Sequence, residues 1–143
     1  MSGYSWAATW ERGPNVLQGE NEFWAPAGVA LSVASGGGDA YHELTAPTGE
    51  LWVIVSGVLY HDDAAARVMY FVAYDGSSEY MITSTITAVA SGLQLRLPDF
   101  PIPMALGGAW TLRGYGAGMT AAAHIIGRYT IRKLRGCGVI SNA

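Results

Sequence analysis

Glu50-Leu-Trp-Val-Ile-Val-Ser-Gly-Val-Leu-Tyr60 is dominated by β-branched, leucine and aromatic side chains. A strand turns successive side chains to opposite sides. Leu51, Val53, Val55 and Leu59 therefore share one face, and Trp52, Ile54, Val58 and Tyr60 share the other. A strand wet on one side alternates apolar with polar residues. This one is apolar on both sides, which predicts cover on both, from its own fold or from another subunit.

Working outward, strand-like segments alternate with turn chemistry. Residues 29–35 stop at Gly36-Gly37-Gly38-Asp39, and 40–46 at Pro47-Thr48-Gly49. After the loop 61–66, residues 67–74 repeat the doubly apolar pattern. Asp75-Gly76-Ser77-Ser78 reads as a hairpin turn in which glycine supplies a positive φ. Residues 80–89 alternate, with Ile82, Ser84, Ile86 and Ala88 against Met81, Thr83, Thr85 and Thr87. Residues 94–97 stop at Pro98, and Pro98, Pro101 and Pro103 bar 98–104 from a central strand. Residues 109–115 follow, then a small-residue turn over 116–122, then 123–134. About eight strands at this spacing predict an all-β fold, an antiparallel sandwich or barrel; the reading adopted is a single antiparallel β-sandwich.

The chain has 143 residues, enough for one domain with its own core. Residues 1–27 show neither helical nor strand period, yet they carry Tyr4, Trp6, Trp10, Phe23 and Trp24. A disordered segment is poor in aromatics, so 1–27 reads as an extended arm, with Trp6, Trp10 and Trp24 as the docking residues. Its target is its own sheet or an adjacent subunit. Residues 28–134 form the sandwich and 135–143 a tail. Charged residues are only 13% of the chain, about half the usual ~25%, which favours an assembled protein. The net charge of −3 gives no nucleic-acid signature. All eleven acids lie in residues 1–99, however, while Arg113, Arg128, Arg132, Lys133 and Arg135 crowd the acid-free remainder. The basic end pairs either with acids of its own fold or with an acidic surface on a neighbouring copy. Arg113, Arg128 and Arg132 read as a polar interface row. Cys137 is the only cysteine, so no intrachain disulfide forms. The first residues lack the pattern of a signal peptide, and no stretch matches a membrane span.

Tests for chemistry return little. His42, His61 and His124 are the only histidines, and no Gly-x-Ser-x-Gly motif surrounds a serine. Asp62-Asp63 is a weak metal candidate, because hard cations favour clustered oxygens, but the spacing of a dedicated calcium loop is missing. The chain also lacks the paired histidines of a cupin metal site. Gly36-Gly37-Gly38 is followed by Asp39 and so is not a phosphate loop. The reading is non-enzymatic, without cofactor. Trp52 and Trp110 fall within predicted strands and are assigned to the core. Tryptophan and tyrosine platforms beside acidic loops keep a carbohydrate- or receptor-binding module as the alternative.

The stretch Leu97-Pro-Asp-Phe-Pro-Ile-Pro-Met-Ala-Leu-Gly-Gly-Ala-Trp-Thr-Leu-Arg113, with the glycine-alanine turn and the strand after it, carries a resemblance. It is similar to the closing half of small jelly-roll virion proteins of tailed bacteriophages, over about residues 28–134. The resemblance implies the jelly-roll form of the sandwich and a virion structural protein: capsid decoration, or a head or tail fibre or adaptor component. It further implies self-assembly, as a trimer, and contact with other virion proteins such as the major capsid protein, with no nucleic acid or membrane as partner.

Overall fold

A computed structural model describes residues 25–98 and 104–135. Among them nine strands form two antiparallel sheets, with no helix. In chain order they are β1 (Ala25–Ala34), β2 (Gly38–Thr45), β3 (Glu50–His61), β4 (Met69–Tyr74), β5 (Glu79–Ser84), β6 (Leu95–Arg96), β7 (Met104–Leu106), β8 (Thr111–Met119) and β9 (His124–Arg135). One sheet runs β1-β9-β3-β6, with β7 also pairing β3; the other runs β2-β8-β4-β5. The first strand thus pairs with the last, the second with the last but one, and so inward to the β4–β5 hairpin. This is a long hairpin rolled on itself, a sandwich with the jelly-roll strand order; of the sandwich and barrel that the turn spacing allows, it is the sandwich. The arm residues 1–24, including Trp6, Trp10 and Trp24, lie outside the described residues. β1 is already paired at Ala25, opposite Lys133.

Between the sheets lie Leu44, Leu59, Met69, Phe71, Leu112, Ile125 and Ile131, all fully buried. β3 supplies its share through an irregularity. Against β9, Ser56 faces Thr130 but Ile54 faces Ile131, so Val55 is the extra residue of a β-bulge. The bulge flips side-chain parity. Trp52 and Ile54 before it, and Leu59 and His61 after it, all face the core. The grouping of Leu59 with Leu51, Val53 and Val55 is therefore corrected: uninterrupted alternation does not survive an inserted residue.

Two other expectations change. β5 ends at Ser84 and does not continue to Val89, because Val89 turns back to exchange both backbone hydrogen bonds with Arg67. Ile86, expected inside that strand, is 98% exposed. Conversely, β8 runs through the small residues to Met119. A Cβ at Gly114 would lie 2.7 Å from Leu59 and 2.8 Å from His42, and one at Gly116 would lie 2.6 Å from Met119. These glycines are strand residues that yield space to the core, not a turn.

Candidate functional site

The outer face of the five-stranded sheet is the apolar one. β9 points Ile126, Arg128, Thr130 and Arg132 outward while Ile125, Tyr129 and Ile131 point in. β3 adds Leu51, Val53, Val58 and Tyr60, all half-buried, and Val55 at 51% exposure. Cross-strand register sets Val58 between Arg128 and Arg96, and Val53 beside Arg132. Arg128 donates to the Tyr60 hydroxyl at 3.3 Å. Among the described residues no carboxylate pairs with Arg96, Arg128 or Arg132. The carboxylates at the two ends of this region are engaged: Asp62 by His124, and Glu50 by the Trp52 indole N–H at 2.6 Å. The cover that the sequence predicts for both sides of β3 is thus complete on the inner side and partial on the outer side.

The outer face of the four-stranded sheet is built from tyrosines and carboxylates. Tyr41, Tyr115 and Tyr70 are direct cross-strand neighbours on β2, β8 and β4. Their rings form a row with centroids 4.8 Å apart at each step, Tyr70 and Tyr115 lying parallel within 6°. The next row sets Glu43, Arg113 and Val72 side by side. Arg113 donates to Glu43 at 2.6 Å and to Glu79 at 2.7 Å, and its guanidinium lies over the rings of Tyr74 (3.7 Å) and Tyr41 (4.6 Å). Those acceptors and both ring faces suit a planar cation. Burial opposes the Arg113 charge, and the two carboxylates outweigh it, holding its pKa above the ordinary value. Burial and Glu79 together push the Tyr115 phenol up to about 12, and its hydroxyl donates to Glu79. Arg113 is therefore not in a row with Arg128 and Arg132. It lies on the opposite sheet and is matched to acids of its own fold, while among the described residues no acid pairs with the other two.

Asp62 and Asp63 are occupied by hydrogen-bond donors. Asp63 is 2% exposed. It accepts from the Thr120 and Ala65 backbone N–H groups, the Thr120 hydroxyl and Arg67 Nε. The backbone donors, with Arg67 added, hold its carboxyl well below the usual range. Asp62 accepts from the backbone N–H and the ring of His124. This corrects the metal reading of the pair: the oxygens that a cation needs face N–H and O–H donors, and among the described residues no three ligating groups converge. The carboxylates act as a clamp that ties the β3–β4 loop to the turn before β9.

The histidines do not gather. His61 Nδ1 accepts from the Asp63 N–H, so Nε2 carries the proton and donates to the Val89 carbonyl at 2.9 Å. His42 is 2% exposed and shares a 2.6 Å hydrogen bond with the Tyr129 hydroxyl. Its Nδ1 lacks a partner of normal geometry, although the nearby Ile125 backbone partly offsets the burial that pushes its pKa down to about 4. A Cβ on Gly127 would overlap the His42 ring, and one on Gly57 would lie 2.7 Å from Tyr129. Glycines on β3, β8 and β9 thus form the slot that holds this pair. Nothing in the sequence linked two residues 87 positions apart.

Trp52 is buried as expected, but Trp110 is 43% exposed. It precedes the first paired residue of β8 and packs against Tyr80, itself 50% exposed, with centroids 5.9 Å apart. Its assignment to the core is corrected: strand parity points it inward, but it lies past the end of the sandwich. The Tyr80 hydroxyl donates to Asp75 at 3.1 Å. No family model, curated protein or solved structure matches the chain.

Proposed function

We propose that this chain is a non-enzymatic structural protein of a virion of tailed-bacteriophage type, a jelly-roll module that joins an assembly through its broad sheet faces. The observation that carries the reading is the outer face of the five-stranded sheet, where half-exposed Leu51, Val53, Val58 and Ile126 alternate with arginines that have no acidic partner among the described residues. Aliphatic side chains and unmatched arginines on a flat face are interface chemistry. Self-association and contact with a major capsid protein belong to the same proposal. The test is co-sedimentation of the tagged full chain with particles assembled from the structural genes beside its own. Stoichiometric incorporation is expected; a chain that stays in the supernatant overturns the reading.

A second reading rests on Tyr80 and Trp110. Two half-exposed rings beside the Asp75 carboxylate supply the stacking surface and acceptor of a sugar site. A glycan array separates the two readings: binding that is lost in Trp110→Ala favours the sugar module, and an empty array removes it.

A further inference from the structure

We propose that the tyrosine-carboxylate face of the four-stranded sheet is the seat for the aliphatic-arginine face of a second copy, a head-to-tail contact. The inference rests on the assembly reading above and names a partner for both faces. Its basis is charge. Among the described residues the four-stranded face carries Asp39, Glu43 and Glu79, with Asp75 in the adjoining turn, against the single cation Arg113, already held by two of them. The five-stranded face carries Arg96, Arg128 and Arg132, and the acids at its ends are engaged locally.

Either face set against its own copy places like charges opposite one another, which disfavours a two-fold pairing. Face to opposite face, the arginines meet half-exposed Glu43 and Glu79. They also meet rings of Tyr41, Tyr70 and Tyr115, and tyrosine and arginine are the side chains over-represented in interface cores. Four strands of six to nine residues span roughly 19 by 20–30 Å, a footprint of about 500 Å², which places the contact at the small end of interface sizes. The two outer faces of a sandwich point away from each other, so a contact between them repeats as a stack and does not close at two copies.

The test uses the full chain and two singly defective variants. Arg128→Glu with Arg132→Glu spoils the basic face, and both residues are exposed. Tyr41→Arg spoils the other face on its edge strand; Tyr41→Ala is the milder form should the first lower the thermal midpoint. Sedimentation velocity over roughly 1–200 μM, where contacts of this size are commonly found, is expected to show wild-type species growing past the dimer. Raising salt from about 50 to 500 mM weakens this at least about tenfold, as screening of facing charges requires. Each variant alone is monomeric, and an equimolar mixture gives a 1:1 complex and nothing larger. A monomer at every concentration overturns the proposal, as does a closed dimer that both variants abolish without complementing each other. Incorporation into particles, measured separately, decides the structural reading independently.

Discussion

His42 between the sheets and Arg113 outside them are both basic side chains beside tyrosines, yet the fold treats them oppositely. His42 is enclosed by glycines, has one hydrogen bond to Tyr129, and is kept neutral by burial. Arg113 also loses solvent, but two carboxylates and two ring faces surround it and its charge is strengthened. Burial disfavours the charged form in both; the number of matched partners decides the outcome. The interior site fixes the packing of four strands, β2, β3, β8 and β9, whereas the exterior one organises a surface.

The comparison is broken most severely at Gly127. Gly127→Ala drives a methyl into the His42 ring, which Tyr129 holds in place, and is expected to cost about 3 kcal/mol in urea unfolding. In a His42→Ala background the same change costs less, because the closest clash is gone and only the Tyr129 ring, 2.7 Å from the added carbon, remains. Gly28→Ala, with nothing within 4 Å of the added carbon, stays within about 0.5 kcal/mol of wild type.

Acid tests the interior site next. An unfolded histidine titrates near 6.5 and folded His42 near 4, so between these values the unfolded chain binds more protons. Stability is therefore full above pH 6.5 and falls as pH drops toward 4, by about 3 kcal/mol over the window. Denaturant midpoints across that range check it, and His42→Gln is expected to flatten the slope. The lowered carboxyls of Asp63 and Glu79 act further down the scale, with stability lost as each is protonated.

At the exterior site Arg113→Ala strands two carboxylates and uncovers Val72. A loss of about 2 kcal/mol is expected, given partial exposure. Arg113→Lys recovers only part, because an ammonium cannot bridge both acids while lying flat on Tyr74. Thermal melts rank the two. The smallest effect belongs to Arg128→Ala and Arg132→Ala, which change stability by no more than about 0.5 kcal/mol while weakening association.

How much of this was legible depends on distance along the chain. Asp75-Gly76 announced its turn, and the structure closes it with an Asp75 N–H to Ser78 carbonyl bond and Gly76 at φ 96°. The alternation of β9 correctly set Arg128 and Arg132 on one outward face. Adding Arg113 to them failed, since alternation orders residues within a strand and says nothing about which sheet a strand joins. Trp110 failed for a related reason: parity gives a direction but not where the sandwich ends.

The sequence by itself determined the class of fold, because the period-two burial of β-branched side chains and the placement of glycine and proline are local properties of the chain. It also determined that this surface is poor in charge. Only the tertiary structure decided that Val55 bulges, that Asp62 and Asp63 are clamps, that His42 meets Tyr129, and that the two outer faces carry opposite charge. Each of these depends on which strands become neighbours. That choice comes from joint burial of the whole core, which no local pattern encodes.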